Sequence, residues 1–154
     1  MACPVTCSGH VTRYVSGFVA GFIATPIFQQ GTWWVLWCAG LAPFNAYSMA
    51  VNAFGVPEVL SHAFWGGTWG VLFSVFDRRF PDRSGYWAVA FLFGAVLPSA
   101  VGLLVVMPLK GNQMGGGWHW PRLLTAFLAN GAWGIGTGLI LKIVRGRLGW
   151  SQGK

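Results

Sequence analysis

Four long apolar stretches, at about 15–39, 59–76, 86–108 and 123–143, alternate with short segments that collect the prolines, glycines and charges. At ~1.5 Å per residue in a helix, stretches of this length approach or exceed the ~30 Å hydrocarbon core of a bilayer. The connections LAPFNAYSMAVNAFGVP, DRRFPDRSG and LKGNQMGGGWHWP are short and rich in turn residues, and none reads as a soluble domain. Hydrocarbon offers no hydrogen-bond partners, so a spanning backbone must be helical or form a closed barrel. The pattern predicts an all-α polytopic membrane protein with four transmembrane helices, a single domain over residues 1–154.

Within each stretch, small and polar residues recur at every fourth position, near one face of a helix. The rows are Gly17, Gly21, Thr25 and Gln29; His62, Gly66, Gly70 and Ser74; Ala90, Gly94, Pro98 and Gly102; and Ala126, Asn130, Gly134 and Gly138. In lipid, helices associate through close backbone approach, which such small-residue rows allow. Gly17, Gly21, Gly66, Gly70, Gly94, Gly134 and Gly138 are therefore the expected packing positions. The Phe, Leu, Val, Ile and Trp residues would face acyl chains, and His62 would be sheltered inside the bundle. Pro26 and Pro98 fall mid-span, where a missing backbone donor predicts a kink.

Three polar side chains on these rows share a depth. Counted from the charged ends at Arg13, Asp77 and Lys142, Gln29, His62 and Asn130 lie about 24, 22 and 18 Å in. Glu58 precedes His62 by one turn, close enough to pair with or orient the imidazole. Gln29, His62, Asn130 and Glu58 form the predicted polar intramembrane cluster. Two roles fit it: hydrogen-bonded glue between helices, or the lining of a polar path or ligand site.

The two halves of the chain resemble each other. PEVLSHAFWGGTWGV overlies PRLLTAFLANGAWGI at a shift of 121 − 57 = 64, matching Gly67, Trp69 and Gly70 with Gly131, Trp133 and Gly134. FVAGFIATP overlies FLFGAVLPS at a shift of 91 − 18 = 73, pairing Phe18 with Phe91 and Gly21 with Gly94. The difference of 9 residues is extra length in the first outer loop. Two tandem parallel hairpins, about 15–80 and 86–148, would follow, an arrangement also found in some transporters.

Composition sharpens this picture. The chain is 55% hydrophobic and 8% charged, against roughly 25% charged in a soluble domain. Its net charge of +7 would suit nucleic acid, but the positions argue for topology instead. Arg13, Arg78, Arg79, Arg83, Lys142, Arg145, Arg147 and Lys154 lie on one side of the predicted spans; only Lys110 and Arg122 lie on the other. The positive-inside rule then places both termini in the cytoplasm and makes this a multi-pass protein of a bacterial cytoplasmic membrane. Trp33, Trp34, Trp37, Trp65, Trp118 and Trp120 fall near the outer interface, and Trp87 and Trp150 near the inner one. The expected partners are lipid and other membrane subunits or further copies of the chain, without nucleic acid.

Little chemistry is legible. Cys3, Cys7 and His10 have a loose metal-like spacing without a fourth ligand, so reduced thiols on a cytoplasmic tail are expected and no metal. The apolar run after Arg13 is too long for the core of a cleavable leader. Glu58, Asp77 and Asp82 are the only carboxylates, and the last two are expected to be neutralised by Arg78, Arg79 and Arg83 in a headgroup turn. GNQMGGGW lacks the lysine of a phosphate loop, no serine has a nucleophile context, and His119 reads as an interfacial residue. No catalytic residues and no enzyme activity are expected.

SHAFWGGTWGVLFSVFDRRFP and VGLLVVMPLKG resemble YagU-like small bacterial inner-membrane proteins. In those, a histidine opens an apolar span ending in a charged, proline-bearing turn, and a later span leaves through a Pro-Leu-x-Gly exit, here Pro108 to Gly111. The resemblance covers about residues 60–111 and implies no particular activity. The expected function is that of an accessory or scaffolding membrane subunit. The alternatives are a small transport or permeation protein with a path near Gln29, His62 and Asn130, and a haem- or chlorophyll-binding subunit with His62 as axial ligand.

Overall fold

The computed structural model describes residues 5–43, 45–52 and 55–147. Cys3, Trp150 and Lys154 lie outside these residues, and the side chains of Cys7 and Arg147 lie outside the description as well. Among the described residues, four helices are long and apolar enough to cross a membrane. The first span runs Val5–Ala24, passes through a π turn at Thr25–Gln29 and continues as Gln30–Cys38. The second is Glu58–Phe76, closed by a 3-10 turn at Asp77–Arg79. The third runs Ser84–Val101, then a π turn at Gly102–Val106 and a last piece, Met107–Leu109. The fourth is Trp120–Arg147.

The ends of these helices follow from local chemistry. Gly40 (φ 72°) and Gly111 (φ 76°) hold a left-handed conformation that a side chain disfavours. That bend lets Leu41 N–H reach Leu36 O at 2.9 Å and Asn112 N–H reach Met107 O at 3.0 Å, the six-to-one bond that satisfies terminal carbonyls. Pro57 precedes the second span and Pro121 sits in the first turn of the fourth, where no backbone donor is needed. The π turns are marked by bonds from Gln30 N–H to Thr25 O and from Met107 N–H to Gly102 O. Pro26 lies within the first of them, whereas Pro98 stays inside continuous α-helix with the second π turn one turn further on.

Packing is strongest between the first and second spans and between the third and fourth; the first and fourth spans then join the two pairs. At the first crossing, a Cβ built on Gly21 would collide with the Gly66 carbonyl oxygen and lie 2.8 Å from Gly70 Cα; one on Gly70 would collide with Gly17 O. At the second, a Cβ on Gly94 would collide with Asn130 O and lie 3.0 Å from Gly134 Cα, and one on Gly134 would collide with Ala90 O. Phe18 packs on Gly67 and Phe91 on Gly131. Trp133 fills the middle of the bundle and donates from Nε1 to Gly21 O at 3.0 Å. Around Phe73 gather Phe80, Phe93 and Trp133, edge to face, at centroid distances of 5.3, 5.2 and 6.2 Å. The outer surface is apolar: Val11, Val15, Val19, Ile23 and Ile27, each four residues apart, are all exposed.

The rows of every fourth residue do not stay on one face. Four residues turn a helix by ~400°, so each step drifts about 40°. On the third span the buried residues are Tyr86, Ala90, Gly94, Ala95, Ser99 and Leu103, while Pro98 and Gly102 swing to half-buried positions. On the second span Ser74 and Gly70 are buried, Gly66 is half-buried and His62 is exposed. The expectation that His62 is sheltered inside the bundle is thus corrected: one turn from Gly66 the drift has carried it off the buried face, which Ala63 and Gly67 occupy.

Candidate functional site

The long-loop end of the bundle carries the first polar layer. Gln29 donates from Nε2 to Asn130 Oδ1 in a close contact. Asn130 donates in turn from Nδ2 to Ser99 Oγ at 2.9 Å, and Ser99 donates to Ala126 O at 3.1 Å. This relay joins the first, fourth and third spans; the Asn130 amide accepts through its oxygen and donates through its nitrogen, and the Gln29 amide donates. Of the predicted cluster, the structure brings together Gln29 and Asn130. His62 stays apart, without a hydrogen-bond partner among the described residues, and no bond or ion pair joins it to Glu58 there. Glu58 opens the second span, and its backbone N–H donates to Ala50 O at 2.9 Å.

Gln30 went unforeseen. A π turn adds one residue to its turn, so the buried row that runs Gly17, Gly21, Thr25 continues at Gln30 rather than at Gln29. Gln30 is accordingly 4% exposed, and its amide atoms are unpartnered among the described residues. Ser99 was missed because it neighbours the predicted row instead of lying on it. The relay itself predicts a modest effect. Interhelical hydrogen bonds of this kind average about 0.6 kcal/mol and reach about 1.7. Asn130→Leu, which breaks two of them, is expected to destabilise the protein by about 1–2 kcal/mol, read as a lower thermal midpoint in detergent.

The short-turn end carries a second polar layer, built on charge. Asp77, expected in a headgroup turn among Arg78, Arg79 and Arg83, is instead buried and paired with Arg145 of the fourth span. Arg13 of the first span donates from Nε to Ser74 O and from Nη2 to Val75 O, each at 2.7 Å. These are carbonyls of the last turn of the second span, where a cation is favoured by the helix dipole. Lys142 sits with its ammonium 3.6 Å from the Tyr86 ring centroid and 4.6 Å from that of Trp87, a cation–π arrangement. Arg79 lies over Phe76 at 5.8 Å. The spacing held the clue: Asp77 continues the row Gly70, Ser74, and Arg145 continues Gly134, Gly138, Leu141.

Between the two layers the bundle is closed by Trp133, Phe73, Ala20, Ala24 and Ala90, all buried. The glycines near His62 that suggest room for a flat macrocycle are filled by helix packing, since a Cβ on Gly66 would collide with Thr25 Oγ1. Among the described residues, no three His, Cys, Asp or Glu side chains come together as a metal site. The open groove of about 470 Å³ on the first span, lined by residues such as Ile27, Phe28, Trp34 and Leu36, is apolar and faces outward. Comparison with known proteins finds no matching family model, no matching curated protein and no matching solved structure.

Proposed function

We propose that this chain is a non-enzymatic membrane protein that works through packing, as an accessory or scaffolding subunit. The observation that carries this reading is the closure of the bundle. Gln29, Asn130 and Ser99 at one end and Asp77 and Arg145 at the other tie its own helices together, and Trp133 and Phe73 fill the space between the two polar layers. A wide apolar surface is left for lipid and for other membrane helices.

Two finer points belong to the same reading. The chain is a pair of tandem parallel hairpins. Gly21 meets Gly66 and Gly70 as Gly94 meets Asn130 and Gly134, and Phe18 meets Gly67 as Phe91 meets Gly131, at the shifts of 73 and 64 that align the halves. The short-turn end, with Arg78, Arg79, Arg83, Lys142 and Arg145, faces the cytoplasm, as the distribution of basic residues requires.

A second reading, a small permeation protein, is favoured by exposure at the long-loop end. Gln29 and Asn130 are only half-buried there and His62 is exposed, so this layer is open to the bundle's surroundings on one side. Flux of small polar probes from proteoliposomes separates the two. The packing reading expects the wild-type protein to leak no faster than empty vesicles. Wild-type flux that disappears in Asn130→Leu and His62→Ala would reverse the preference.

A further inference from the structure

We propose that the short-turn end of the bundle holds a single buried water molecule between Asp77, Tyr86 and Arg145. This inference stands independently of the function proposed above. Three buried polar atoms there are unpartnered among the described residues: Asp77 Oδ1, Tyr86 Oη and Arg145 Nη2. They come from the second, third and fourth spans. Asp77 is 4% and Tyr86 6% exposed, so bulk solvent does not serve them.

The three atoms belong to one neighbourhood. Asp77 Oδ2 accepts from Arg145 Nη1, which leaves the other atom of each fork at the same junction. Tyr86 packs its ring 5.7 Å from that of Phe80, whose backbone N–H donates to Asp77 O at 3.2 Å. The Tyr86 hydroxyl also lies against Gly138, two turns before Arg145 on the fourth span, where a Cβ would sit 3.0 Å from Oη. Asp77 and Arg145 both act electrostatically on the phenol.

The chemistry of the set selects the guest. An anion would have to touch a carboxylate oxygen, and a cation would face the guanidinium of Arg145 with Arg13 within electrostatic range. A neutral molecule that both donates and accepts suits all three. One water donates to Asp77 Oδ1 and accepts from Arg145 Nη2 and from the Tyr86 hydroxyl. Three bonds to otherwise unsatisfied groups is the usual complement of a buried water.

Tyr86→Phe decides the matter by the sign of its effect, because it removes one oxygen and keeps the ring on which Lys142 rests. If the hydroxyl completes a water-bridged junction, its loss leaves the water short of a partner. The thermal midpoint in nanodiscs then falls by about 2–4 °C, the shift that roughly one hydrogen bond produces in a chain of this size. If the hydroxyl is buried without a partner, deleting it raises the midpoint or leaves it unchanged, and the proposal is overturned. Solid-state NMR supplies a second readout on the unaltered protein. Magnetisation transfer from a long-lived water to the Tyr86 ring protons is expected, and its absence also overturns the proposal.

Discussion

Gly134→Leu is expected to separate the third and fourth spans and to abolish recovery of a monodisperse protein from detergent. The reason is geometric. A Cβ at this position would overlap Ala90 O and lie 3.2 Å from Gly94 N, so the obstacle is backbone and cannot turn aside as a side chain would. Overpacking a tight core costs about 1–3 kcal/mol where neighbours can adjust. Here the whole helix must move, which also breaks the nearby ties of Asn130 to Gln29 and Ser99. Gly102→Leu is the matched control. It belongs to the row of small residues on the third span, yet a Cβ there meets nothing within 4 Å. It should behave as wild type in size-exclusion profile and thermal midpoint. Equal damage from both variants would show that glycine content, rather than this crossing, sets stability.

Asp77→Ala is expected to be the other severe change. The Asp77 side chain is fully buried and that of Arg145 is 12% exposed, so removing the carboxylate leaves a guanidinium with little access to water. Breaking a buried pair from one side costs about 3–5 kcal/mol, while replacing both partners with apolar groups is often close to neutral. The double variant Asp77→Ala/Arg145→Met should therefore be more stable than Asp77→Ala alone, measured as midpoints of thermal unfolding in the same lipid. A double variant as damaged as the sum of its single changes would mean that the two residues act separately.

Much of this fold was legible because hydrocarbon leaves the chain few options. The four spans, their separation by breakers, and the rows carrying Gly21, Gly70, Gly94 and Gly134 all follow from composition and spacing. The rows misled where helix geometry departs from a simple count of four. His62 was lost to the drift of such a row beyond the crossing, and Gln30 to the extra residue of a π turn that no local signal but Pro26 announces. The charged layer was hidden for a different reason. Asp77 sits in DRRFPDR, where three arginines next to it in sequence offered obvious partners. Its actual partner is 145 − 77 = 68 residues away, and only the meeting of two helix ends brings Arg145 there. Tyr86 shared that fate, since nothing in YWAV marks a phenol that faces inward.

The order in which the helices pair has a bearing on biogenesis. Because the tightest seams join the first span to the second and the third to the fourth, each seam lies between neighbours in synthesis. A nascent chain released into the bilayer two helices at a time would never carry a bare glycine groove while waiting for a distant partner. The Trp133 indole, the Arg145 guanidinium and the Gln29–Asn130 hydrogen bond find their places late, as the halves close on one another.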